Sequence, residues 1–161
     1  MIVDFNDEII DMEAKISHGK DDMVLLIIES FILWYILVEG IVCESFSESD
    51  INNALTRNVR IYQSSYSSDA DFNFIIGWML SVAFWYFDPL LKEEDGPRLL
   101  NSAYKSNPKN TLFKWANRKG LRLQDTEIES LKIDIALRYD QLYNYGAFLK
   151  EYFLDIVKTV I

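Results

Sequence analysis

One histidine and one cysteine are all that this 161-residue chain offers of the side chains most used in metal binding and nucleophilic catalysis. Cys43 has no second cysteine to pair with, which excludes an intramolecular disulfide and suits a reducing compartment; inside an apolar run it reads as a small buried hydrophobe. His18 sits beside Gly19 at an expected helix end, where an imidazolium favours the helix dipole. A catalytic triad would have to use it, and nothing near it in sequence marks an activated nucleophile. Cysteine pairs, Glu-x-x-His, His-Glu-x-x-His, EF-hand loops and cofactor-binding glycine motifs are all absent, so no catalytic residue, metal or cofactor is expected. With three prolines and six glycines there is no flexible linker, and no repeat or low-complexity segment breaks the chain. One domain over residues 1–161 is the economical reading, and a domain of that size removes about 70% of its unfolded surface from water.

Basic residues are scarce in the first half. Residues 1–95 hold 18 acids and 5 bases, a balance of −13; residues 96–161 hold 7 acids and 11 bases, a balance of +4, which together give the net −9. The opening MIVDFNDEIIDME lacks a basic region and carries five acids, unlike a secretory signal, so a cytoplasmic protein is expected.

What is abundant is apolar sequence. In MVLLIIESFILWYILVEGIVC, residues 23–43, seventeen of twenty-one residues are apolar, interrupted by Glu29 and Glu39. A membrane span needs about 20 such residues and a flanking cluster of Lys or Arg, and here Lys20 precedes two aspartates and the next base is Arg57. The second run, residues 72–87, has sixteen uncharged residues and stops at Asp88-Pro89, which is short for a span. Both are expected to be central helices covered on every side by others, with no membrane partner.

Around them the pattern is helical throughout. Ile2, Phe5, Ile9, Met12 and Ile16 form one stripe, with Asp4, Asp7, Glu8 and Asp11 on another. His18-Gly19 reads as a stop, Asp21 or Asp22 as the next cap, Ser47 to Asp50 as a third start, and Asp69 or Asp71 as the cap of the aromatic helix. Ser64 to Ser68 reads as a loop, and KEEDGP, residues 92–97, as a turn into a helix from about 98 to 106. Asn107-Pro108 is expected to open the following helix and Gly120 to close it; Thr126 and Glu129 make an expected capping box, and residues 143–146 divide the last two helices. With no alternation of period two, the fold class is all-α, a single-domain bundle of about seven or eight helices.

Four features invite a functional reading. Glu29 and Glu39 would have raised pKa values if both are buried, yet ten residues apart they project about 80° from each other, so a hydrogen bond to a tyrosine or a base of the C-terminal half is preferred over proton transfer. Between Gly96 and Gln124 lie Arg98, Lys105, Lys109, Lys114, Arg118, Lys119 and Arg122 among Tyr104, Phe113 and Trp115, and no acid. Basic residues among aromatics can hold a nucleic-acid strand, but a chain of net −9 repels phosphate, so no direct nucleic-acid binding is expected. Gly40 and Gly77 are expected to let another helix approach closely. Finally, Asp4, Asp7, Glu8, Asp11, Asp21, Asp22, Glu93, Glu94 and Asp95 form acidic clusters that would attract a basic protein.

The chain resembles the immunity proteins of contact-dependent growth inhibition and other bacterial polymorphic toxin systems. The resemblance is one of type across the whole chain, strongest in the acidic first half and in IGWMLSVAFWYFDP, residues 76–89. It implies a protein that binds the C-terminal domain of a cognate toxin, often a basic nuclease, and covers its active site; these families diversify at the interface, so no binding residue carries over. The nine acids above are the expected contacts, with exposed aromatics beside them as anchors. The alternatives are an all-α enzyme using Glu29 or Glu39, or an acidic DNA mimic.

Overall fold

In the computed structural model, which describes residues 5–17 and 22–159, the described chain is helical with no strand; Cys43 and Phe46 form one isolated bridge. The order is α1 (Phe5–Ser17), α2 (Met23–Glu39), α3 (Glu48–Ile61) with a π turn (Tyr62–Tyr66), α4 (Ala70–Ala83) with a 3₁₀ turn (Phe84–Phe87), α5 (Asp95–Ser106), α6 (Thr111–Ala116), α7 (Arg118–Leu121), α8 (Asp125–Leu142) and α9 (Ala147–Thr159). The all-α bundle is therefore present, with the four-residue α7 counted among nine described helices.

α2 and α4 are the centre because neither has a polar face. Leu26, Ile27, Phe31, Ile32 and Leu33 of α2 and Phe72, Phe74, Ile75, Ile76 and Met79 of α4 are all fully buried. Each such side chain contributes about 1.5–3 kcal/mol when removed from water. Of the described helices only Ala70–Phe87 is long and apolar enough to cross a membrane, and 61% of it is buried inside the fold. α9 lies against both central helices through an aromatic seam: Phe31 meets Tyr152 edge-on at 4.9 Å, Phe153 meets Phe74 at 5.3 Å and Trp78 at 5.6 Å, and the Trp78 indole donates to the Tyr152 hydroxyl at 3.0 Å. Cys43 is buried, as its setting implied.

The starts are chemically explicit. Asp22 accepts from the Val24 amide at 3.0 Å, Ser47 and Asp50 form a reciprocal capping box, and Asp69 accepts from the Phe72 amide at 2.8 Å. Asp4, Asp21 and the His18-Gly19 stop lie outside the described residues.

Five expectations are corrected. Ser64 to Tyr66 continue helically as the π turn, so the loop shortens. Asn107 ends α5, and α6 is instead capped by Asn110, which accepts from the Leu112 and Phe113 amides and donates to the Leu142 carbonyl. Gly120 lies within α7, which is closed by Arg122 in the left-handed conformation at φ 53°. Glu127, two residues before the expected Glu129, reaches back to the Gln124 amide at 3.0 Å, so α8 starts earlier. α5 likewise begins at Asp95, whose carboxylate accepts from the Lys92 amide at 2.9 Å.

The two glycines differ. Gly40 is the left-handed terminus of α2 at φ 65° and approaches no other helix. Gly77 does what was expected: a Cβ there would meet the Leu100 amide nitrogen of α5 at 2.9 Å, and Gly96 opposite is equally tight against Ser81. Replacing an interior helical glycine by alanine normally gains up to about 1 kcal/mol. Gly77→Ala should instead destabilise by about 1–3 kcal/mol, because backbone cannot move aside as a flexible side chain can. Urea unfolding measures this, and a stabilised variant would contradict the close α4–α5 contact.

Candidate functional site

Seven of the nine acids expected from the sequence lie among the described residues, on α1, at the start of α2 and in the turn before α5. On α1, Asp7 and Asp11 are exposed, with Asp11 paired to Lys15 at 2.8 Å. Glu8 is half-buried, and burial raises its pKa. α1 is anchored away from the second group: Asn6 accepts from the Ser45 amide, and Glu13 binds Arg57 of α3 through both oxygens at 2.8 Å. Asp22 is exposed but engaged as a cap. The second group is the turn before α5, where Glu93 and Glu94 are exposed while Asp95 is tied to Lys92 and Arg98; the Arg98 guanidinium holds its carboxyl below the usual range.

Next to that second group the structure exposes a tryptophan. Trp34, Trp78 and Trp115 are buried, whereas Trp85 is 57% exposed. The cause is a break in the helix. Ala83 leaves helical geometry at φ −151°, and the following residues wind as a 3₁₀ turn, in which side chains three apart eclipse. Phe84 and Phe87 consequently share the inward side and Trp85 points away; Phe87 is buried, and the Tyr86 hydroxyl donates to the Leu37 carbonyl at 2.9 Å. Gln63 of the π turn ties down the Leu90 carbonyl at 3.2 Å, so the corner is braced from the α3 side as well. A recess of about 330 Å³ opens there, lined by Phe84, Trp85, Leu91, Asp88, Glu93 and Glu94, with Lys92. Val82, one turn earlier, is also exposed.

Reading residues 72–87 as one uninterrupted buried helix misses this. At seven residues from Trp78, Trp85 would share its buried face on a regular helix. The only sequence signal was Asp88-Pro89, which fixes where the helix has stopped but not where it changes pitch.

The two notable carboxylates of α2 separate sharply. Glu39 is exposed. Glu29 is fully buried and its partners come from the acidic half rather than the C-terminal half: one oxygen accepts from Arg57 at 2.7 Å and from Asn58 at 2.8 Å, while the other has no protein partner. Burial pushes Glu29 up to about 7, helped by the charge of Glu13 and opposed by Asn58 and Arg57. Glu13 moves the other way, lowered chiefly by its hydrogen bond from Arg57. The cluster ties α1, α2 and α3 together, and Glu29 has no surface from which to reach a substrate.

Within the basic segment, Phe113 and Trp115 are buried and Tyr104 half-buried, so Phe113 and Trp115 offer no open face on which a base could stack. Among the described residues no group of three or more His, Cys, Asp or Glu is placed to hold a metal. No protein-family model, curated protein or solved structure matches this chain.

The Glu29 arrangement has a pH signature. Its folded pKa lies above the ordinary 4.5, so between about pH 4.5 and 7 the folded state holds more protons than the unfolded state, and stability falls as pH rises. Glu13 acts oppositely, losing its contribution as pH drops through its lowered pKa. Wild-type stability should therefore decline by on the order of 2–3 kcal/mol between pH 4.5 and 7 from this residue, and Glu29→Gln should remove that decline. Unfolding titrations across pH measure the slope; an unchanged slope in the variant would contradict it.

Proposed function

We propose that the protein is an immunity protein of a bacterial contact-dependent growth inhibition or related polymorphic toxin system. It is retained in the cytoplasm of the toxin-producing cell, where it binds the C-terminal domain of the cognate toxin and covers its active site. The observation that carries this reading is Trp85, exposed beside Asp88, Glu93 and Glu94. A large aromatic at the centre of a contact, ringed by polar residues that exclude water, is the composition of a binding hot spot. Carboxylates around it speed encounter with a basic surface and disfavour wrong partners.

In this reading the acids take different parts. Glu93 and Glu94 flank the anchor; Asp7, Glu8 and Asp11 extend the negative field from α1 and steer approach over a distance. The enzyme alternative gains nothing from α2, where Glu29 is sealed and Glu39 lies at the helix end in water.

The test uses the purified toxin domain encoded beside this protein. Trp85→Ala should weaken binding by about 2–4 kcal/mol, on the order of 30- to 1000-fold, and restore toxin activity at concentrations where wild type suppresses it. A Glu93→Gln, Glu94→Gln double variant should slow association and flatten its salt dependence while leaving dissociation nearly unchanged. A protein without effect on the toxin, or a Trp85→Ala variant that binds as wild type, would overturn the reading.

A further inference from the structure

Among the described residues, Arg118 is a half-buried cation whose setting calls for a ligand. Its guanidinium lies 4.4 Å from the centre of the Trp115 ring and donates to the Trp115 carbonyl at 3.1 Å, so it is held in place rather than free to swing. Burial lowers its pKa, the sign of a charge drawn out of water. Among the described residues Arg57, Arg98 and Arg138 each pair with a carboxylate, and no ion pair is formed by Arg118. A partly desolvated guanidinium with a fixed fork is best compensated by a planar carboxylate.

Arg118 also stands on the wall of a recess. This opening of about 320 Å³ between α4, α5 and α7 has Trp78, Val82, Leu100 and Ala116 as apolar lining, and Arg118 with Lys119 on one side. The volume is at the lower end of small-molecule sites, and a few polar groups in an apolar cleft are their usual composition. The Trp78 indole N–H is already used by Tyr152, so within the recess that ring offers an apolar surface.

We propose that this recess binds a small organic monocarboxylate, its anionic group on Arg118 and Lys119 and its apolar body against Trp78 and Leu100. The single charge follows from the surroundings. Glu93 also lines the recess, and the chain carries a net −9, so a phosphate or another multiply charged anion meets repulsion that one carboxylate largely escapes. This site does not depend on the toxin reading, which rests on the neighbouring Trp85 corner.

Benzoate is the probe, titrated into the intact protein while the indole N–H resonances of Trp78 and Trp115 are followed by NMR, with benzyl alcohol and phenylphosphonate in parallel. Saturable shifts with benzoate are expected, together with weaker responses to the neutral and the dianionic analogues. Arg118→Gln should weaken benzoate about tenfold, the loss of one charge-assisted contact. Because that change also removes the stacking on Trp115, Val82→Phe provides a second variant: the position is exposed enough to tolerate the ring, which should fill the recess and weaken benzoate comparably. No saturable shift with benzoate, equal responses to benzyl alcohol, tighter phenylphosphonate binding, or benzoate binding unchanged in both folded variants would each overturn the assignment.

Discussion

Two helices without a polar face must be covered from every side, and that constraint organises the molecule. α2 and α4 leave water almost completely along their middles. Covering them takes α1 and α3 on one side, α5 packed at glycine distance on another, and the aromatic side chains of α9 along the seam they share. The burial of these two runs is a large share of the driving force, since it is roughly proportional to apolar area removed from water. Charge is then arranged where the cover allows it. The single carboxylate trapped inside α2, Glu29, is tolerated because Arg57 and Asn58 reach it from α3 and Glu13 holds Arg57 from α1.

The proposed contact surface begins where the cover ends. α4 stays buried as far as Leu80, then the chain changes pitch at Ala83 and turns Trp85 outward. An exposed tryptophan in a protein that hides its other three is a local departure from the rule that built the rest. Placed against Glu93 and Glu94, it joins an apolar anchor to a field that attracts basic surfaces.

Much of the fold was legible because it depends on local chemistry. The caps at Ser47 and Asp69, the burial of both apolar runs, the close approach at Gly77 and the division at residues 143–146 follow from residue type and spacing. The failures share a cause. Asn110 rather than Asn107 caps α6 because it can also bind the Leu142 carbonyl across the fold, and Glu29 found Arg57 rather than a C-terminal base because α3 packs on α2. Such choices are tertiary and leave no mark in a single chain. The acidic clusters and their division between the first helix and the turn at residues 92–97 were visible in sequence, but the tie of Asp95 to Lys92 and Arg98 was not. Nor was Trp85, whose exposure comes from a change of helical pitch to which periodicity is blind.

The most direct measurement is quenching of tryptophan fluorescence by acrylamide, a neutral quencher, in the free protein and in the proposed stoichiometric complex with the toxin domain. The toxin's tryptophans, if any, are replaced by phenylalanine. The free protein should show one accessible tryptophan, identified as Trp85 by its loss in Trp85→Phe, and the complex should protect it almost completely. A Trp85 that stays as quenchable in the complex as in the free protein would contradict the claim that this corner is where the partner binds.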